Sequence, residues 1–358
     1  MTESHGRWRK IRELGSGGQG TVYLVKKRND VLDDPNLTGR LADAIQGASL
    51  KDAVLKYRAE NANEILNVVR DLMLDSVSPQ FALKQLRPEV RNQKSVERLR
   101  LEIETLGSIG HPSIVSIHES NSEECWFVMD YYDSTLTGQL QRTKGDFLSS
   151  LDAIRPIVEA AAHLHEKGIV HRDIKPDNIF AGSTRLVLGD FGLACDVSQQ
   201  GRLTDTFENV GSRDWMPGWA MGMRLEDVKP TFDVFSLGKV LWSMISGSPR
   251  LRLWYHHDDA FELERMFPTK QMKWARNVLD KCIVEHEADC LPSAREMLRL
   301  IDSARAAVSS FGELPSHGPF TCTICRVGSY TGILRDDASV RILACSYCGN
   351  MQSFRPGH

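Results

Sequence analysis

No stretch of the chain approaches the run of about 18 apolar residues that a membrane span needs; the apolar run near Val240 to Ile245 is far too short. Neither sign of charge dominates. The 44 Lys and Arg against 47 Asp and Glu leave a net charge of −3, which removes any global drive toward nucleic acid or a membrane surface. Cysteine is scarce, 8 in 358 residues, too few for a disulfide scaffold. Met1 to Lys10 lacks the apolar core of a signal peptide, so the chain reads as soluble and cytoplasmic. Gly and Pro are at ordinary levels, with 41% hydrophobic and 25% charged residues. That composition excludes a fibre and global disorder, and the length suggests two or three domains.

What is present falls into blocks. Residues 8 to 28 pattern as strand, glycine-rich turn and strand: Ile11 and Leu14 precede Gly15-Ser16-Gly17-Gly18-Gln19-Gly20, and Thr21 to Val25 are β-formers. Residues 29 to 79 change character, and Ala62, Ile65, Leu66, Val69, Leu72 and Met73 recur at helical spacing. A strand is expected over Phe81 to Leu86, a helix over Lys94 to Ile109, and strands near Val115 to His118 and Trp126 to Met129. From Ser149 to about Val308 the pattern is mostly helical, and Ser309 to Pro319 reads as a linker. Strand-rich front and helix-rich back imply an α+β chain of two lobes.

Glycines at Gly15, Gly17 and Gly20 let a turn bring backbone N–H groups close to phosphate oxygens. The β-forming Thr21 to Val25 that follows argues against a dinucleotide fold, which needs a helix there. His171-Arg172-Asp173-Ile174-Lys175-Pro176-Asp177-Asn178 is far more specific, and Asp190-Phe191-Gly192 follows it. Two carboxylates, an amide and a lysine at this spacing suit metal-assisted phosphoryl transfer: one carboxylate takes a hydroxyl proton, while Asn and the second carboxylate hold Mg2+.

With these strings the chain resembles the eukaryotic-type (Hanks-type) protein kinases, over roughly residues 8 to 308 apart from the insert. The resemblance implies the bilobal protein kinase fold, with ATP bound between the lobes. The N-lobe would span 8–130 with a helical insert at about 29–79, and the C-lobe 131–308. Gly15, Gly17 and Gly20 become the loop over the phosphates, and Lys84 the strand lysine on the α- and β-phosphates, with Glu102 as its ion-pair partner rather than Glu104. Asp173 becomes the catalytic base, Lys175 a brace for the transferred phosphate, and Asn178 and Asp190 the Mg2+ ligands. Val22 and Ala82 would sandwich adenine, Met129 falls at the gatekeeper, and Asp130 to Tyr132 lie on the hinge. Asp233 matches the aspartate that braces the catalytic loop. Lys175-Pro176 resembles the serine/threonine branch, and Arg172 resembles kinases activated by phosphorylation, for which Thr204 and Thr206 are candidates. A catalytically silent pseudokinase that senses nucleotide is the alternative; small-molecule phosphotransfer is disfavoured by Asp190-Phe191-Gly192 and the long activation segment.

The chain departs from the family where Pro217-Gly218-Trp219 replaces Ala-Pro-Glu and Leu291 stands in place of the paired arginine. Exchanging both halves of a buried ion pair for apolar groups can be neutral, so Trp219 and Leu291 are expected to pack together. Residues 320–358 form a separate segment. Cys322-x-x-Cys325 and Cys345-x-x-Cys348, 19 residues apart, have the spacing of a structural Zn2+ site with four thiolates. This segment resembles a zinc ribbon; redox dithiols or a disulfide pair are the alternatives. The ribbon or the insert would offer a protein-docking surface, and the mild charge gives little support for nucleic acid. Cys282, His286 and Cys290 read as structural, and His256-His257-Asp258-Asp259 as a solvated loop.

Overall fold

The computed structural model describes residues 4–17, 20–27, 79–196, 213–221, 223, 227–269, 271–311, 320–321, 329–334, 341–345 and 351–354. Its contacts divide the chain into two units, Met1–Ile103 with Ile117–Tyr131, and Glu104–Ser116 with Tyr132–His358. Residues 29–78 of the insert, and with them its expected helix, lie outside the described residues.

The first unit is built on a six-stranded antiparallel sheet of β1 (Ser4–His5), β2 (Trp8–Gly17), β3 (Gly20–Lys27), β4 (Phe81–Gln85), β5 (Ile117–Asn121) and β6 (Trp126–Asp130), in the order β1-β2-β3-β4-β6-β5. Trp8, Val25, Leu83, Trp126 and Val128 make its core on one face. β4 and β6 are interior strands of this order, and their residues are buried almost without alternation. Gly20, at φ +129, closes the β2–β3 hairpin opposite Gly17; a Cβ there would lie 2.4 Å from the Gln85 carbonyl oxygen, so only glycine fits. Helix α1 (Gln93–Ser108) starts with a reciprocal cap: Asn92 Oδ1 accepts from the Ser95 N–H and Ser95 Oγ from the Asn92 N–H, both at 3.0 Å. The strand expected from Val115 begins only at Ile117. The backbone just before it is committed elsewhere, for Val115 N donates to Leu188 O and Leu188 N to Ser113 O.

In the second unit, α2 (Phe147–Glu166) is capped by Asp146, which accepts from the Ser149 N–H, and buries Leu151, Ile154, Ile157, Val158, Ala161 and Leu164. The short strands β7 (Ile169–Val170), β8 (Ile179–Ala181), β9 (Leu186–Leu188) and β10 (Cys195–Asp196) pair as β10-β7 and β8-β9. Helix α3 (Thr231–Ser246) is buried on every side, the mark of a core helix rather than an amphipathic one. The short α4 (Leu263–Met266) precedes α5 (Gln271–Leu279), and α6 (Ala294–Phe311) packs on α2. Helix α6 runs to Phe311 and so takes in the start of the expected linker; residues 312–319 are outside the described set. No described helix is long and apolar enough to cross a membrane.

The C-terminal strands β11 (Phe320–Thr321), β12 (Ser329–Leu334), β13 (Arg341–Cys345) and β14 (Met351–Phe354) form an antiparallel sheet in chain order. Phe320 pairs with Tyr330 and Tyr330 with Cys345. β11 and β13 therefore point the same way, with β11 ending at Thr321 one residue past the level of Cys345.

Candidate active site

In the first unit, β4 presents Lys84 and α1 presents Glu102. Lys84 Nζ donates to both carboxylate oxygens, at 2.7 and 2.8 Å, and the side chains are only 9% and 3% exposed. A pair this buried holds its geometry because losing either partner would strand a charge. Glu104 is exposed, as expected two positions round the helix. Register sets Val22 opposite Lys84, Gly15 opposite Val22, and Ala82 between Leu24 and Met129. Asp130 Oδ1 lies 2.7 Å from His118 Nε2. In the second unit, Tyr132 stacks on Phe180 with ring centroids 5.3 Å apart.

The segment between β7 and β8 carries Asp173, Lys175 and Asn178. Asp173 Oδ2 accepts from Lys175 Nζ at 2.7 Å and from Asn178 Nδ2 at 2.8 Å. Asn178 Nδ2 also donates to the Asp173 carbonyl at 2.9 Å. With the amide nitrogen so engaged, Oδ1 is the atom left as an acceptor. Burial pushes the Asp173 carboxyl above its ordinary value and the nearby Asp190 adds to this, while Lys175 opposes them. Arg172 at φ +68 and Asp190 at φ +55 occupy left-handed backbone. Side chains rarely adopt that conformation, and strain of this kind gathers at functional sites.

Beneath the loop, Asp233 of α3 accepts from the amides of His171 and Arg172 at 2.8 and 2.9 Å, and from His165 Nε2 at 2.9 Å. His165 Nδ1 in turn accepts from the Ala294 N–H at 3.3 Å, which fixes the ring as the Nε2–H tautomer. Full burial would raise the Asp233 carboxyl, but the His165 and His171 contacts outweigh it and hold the group below its ordinary value. His171 Nδ1 accepts from the Asp173 N–H at 3.3 Å, and its Nε2 lies 3.1 Å from Gly189 O. A Cβ on Gly189 would lie 2.3 Å from the Phe180 ring, so the chain approaches this closely only through glycine. His165 was not legible in the sequence as a member of this network.

The neighbours of Trp219 are Phe235, edge to face at 5.2 Å, and the apolar cluster of Val170, Met216, Ala220, Val228 and Phe232. A polar link also reaches the start of α3: Glu287 accepts from Thr231 Oγ1 at 2.8 Å and from Lys229 Nζ at 3.2 Å. Cys282 and Cys290 are buried, and burial pushes the Cys290 thiol up to about 12, the behaviour of inert packing residues. Thr204, Thr206, Cys322, Cys325 and Cys348 lie outside the described residues, and Cys345 is buried at the end of β13.

A lysine–glutamate pair on a β-sheet unit and an Asp-Lys-Asn loop on a helical unit define a protein kinase domain. The protein kinase domain family model matches residues 67–310, and the chain belongs to that family. The match begins within the insert, so the glycine hairpin lies upstream of it. Among curated relatives, the serine/threonine-protein kinase PrkC of Bacillus subtilis is 32% identical over 249 residues, 68% of this chain and 31% of its own length. The serine/threonine-protein kinase PknB of Mycobacterium tuberculosis is 30% identical over 196 residues, 51% of this chain and 30% of its own. The serine/threonine-protein kinase PAK mbt of Drosophila melanogaster is 33% identical over 178 residues, 49% and 27%. The chain thus spans about a third of the length of these relatives.

Proposed function

We propose that the chain is a serine/threonine protein kinase that transfers the γ-phosphate of ATP to protein hydroxyls. The observation that carries this is the Asp173 carboxylate, buried yet clasped by Lys175 and Asn178. Burial raises its basicity, so it accepts the substrate hydroxyl proton as phosphate is transferred, while Lys175 remains beside it to steady the phosphate. Lys84, oriented by Glu102, holds nucleotide phosphates; Gly15, Gly17 and Gly20 approach them with backbone N–H groups. Val22, Ala82, Asp130 and Tyr132 form the adenine-binding set. Asn178 and Asp190 offer oxygen donors, the set that Mg2+ prefers, and the Asp190 charge that raises Asp173 is one a cation would offset. When bound, Mg2+ neutralises phosphate charge. Activation by phosphate on Thr204 or Thr206 belongs to the same reading.

The C-terminal sheet is read as a zinc ribbon that docks a protein partner. Register supports it: the two Cys-x-x-Cys segments begin at or just after the ends of β11 and β13, which point the same way and are offset by one residue, an arrangement in which two knuckles could share one ion. Cys125, Cys282 and Cys290 are unbridged thiols, in keeping with a reducing, cytoplasmic setting.

The test is transfer of labelled γ-phosphate from ATP with Mg2+, to the chain itself and to a basic protein, by wild type and Asp173→Ala. Incorporation that disappears in the variant is expected. ATP binding with no incorporation by wild type would favour the silent module, and retained transfer by the variant would overturn the role of Asp173.

A further inference from the structure

The segment His256 to Asp259, whose sequence reads as a solvated loop, is partly buried: His256 is 6% exposed. Its ring is held at both nitrogens. Nδ1 lies 3.0 Å from the Trp254 carbonyl oxygen, and Nε2 2.9 Å from Oδ1 of Asp280, just beyond the end of α5. His257 Nε2 lies 2.8 Å from the same Asp280 oxygen, and the two imidazole centroids are 4.0 Å apart. A peptide carbonyl and a carboxylate are both acceptors, whereas a neutral imidazole has one N–H. With that hydrogen given to Trp254, His256 Nε2 turns a lone pair toward a carboxylate oxygen. A second proton or a metal ion at Nε2 resolves the conflict.

We infer that His256, His257 and Asp280 form a binding site for a divalent transition-metal ion, with Zn2+ the best match. The three ligand atoms lie within 4.8 Å of one another, the one such cluster among the described residues. Two imidazoles and a carboxylate suit a borderline cation, whereas Mg2+ and Ca2+ take oxygen sets. The Trp254 carbonyl is the outer-shell acceptor that fixes a ligating histidine with Nε2 toward the metal. Tetrahedral bonds of about 2.0–2.2 Å set ligand atoms about 3.3 Å apart, so the site opens slightly on loading. His257, 44% exposed, supplies that movement and the entry path, and water completes the shell. Arg276 Nε sits 3.8 Å from the other Asp280 oxygen, with its charge offset by Glu262 and Glu264 at 3.4 and 3.6 Å. The ion ties the loop before α4 to the end of α5, far in sequence from the cysteine tail.

Untagged full-length chain, dialysed against micromolar free Zn2+, is expected to retain one ion more per molecule than His257→Ala, whatever the cysteine tail holds. His257 is exposed enough that its loss leaves the fold intact. Equal metal counts overturn the site. Co2+ substitution gives a second readout: wild type is expected to gain visible absorption, absent from His257→Ala, without added thiolate-to-metal charge transfer. A wild-type Co2+ spectrum identical to that of the variant also overturns it.

Discussion

Asp173 and Asp233 are both buried carboxylates serving one loop, yet their surroundings push them in opposite directions. Asp233 sits beneath the loop, where two backbone amides and His165 donate to it, and it is held acidic. Asp173 lies on the loop itself with one ammonium, one amide and a second carboxylate nearby, and burial wins. The contrast separates an anion that the protein solvates completely, and which therefore organises backbone, from one left basic enough to take a proton. Burial alone distinguishes neither; the count and kind of donors does.

The largest effect expected from that contrast is on chemistry. Asp173→Asn should lower the phosphate-transfer rate by about 10²–10⁴-fold while leaving the thermal melt nearly unchanged. Asp233→Asn should do the reverse in emphasis, costing about 3–5 kcal/mol of stability because an amide cannot serve three donors in a fully buried site. Urea unfolding measures it, and an unchanged midpoint would break the comparison. His165→Phe keeps the ring volume but removes one donor to Asp233 and one acceptor for Ala294, for about 1–3 kcal/mol. The same unfolding assay should rank it below Asp233→Asn.

The smallest and most diagnostic effect is on acid sensitivity. The folded-state pKa of Asp233 lies below its ordinary 3.8, so its contribution is present above that value and lost as pH falls through the folded pKa. That of Asp173 is raised above 3.8, so its ionisation opposes folding as pH rises through the window above 3.8. Stability should therefore fall less steeply with acid in Asp233→Asn than in wild type below pH 3.8, and more steeply in Asp173→Asn in the window above it. Identical slopes would remove the distinction.

Much of the site was legible because the family strings are contiguous: Asp173, Lys175 and Asn178 are near neighbours in sequence, and local backbone brings their side chains into contact. Lys84 and Glu102 were legible by resemblance, each sitting in its own motif. The left-handed backbone of Arg172 and Asp190 was not: arginine gives no sign of positive φ, and aspartate adopts it more often than most residues but still in a small minority of positions. Nor was His165, one of two histidines in the last turn of α2, whose partners come from α3 and the start of α6. His256 was misread for the same reason: its carboxylate stands 24 residues away, and local polarity says solvent. The strand at Ile117 started late because the preceding backbone had already paired with Leu188.

The line of hydrogen bonds from the Ala294 amide through His165 and Asp233 to the amides of His171 and Arg172 bears on inheritance. A lineage that exchanges the histidine must furnish another donor to the aspartate or lose the loop it carries. Positions 165 and 233, 68 residues apart, should therefore drift as a single character, and a chimera that joins one from each of two divergent kinases should fold worse than either parent.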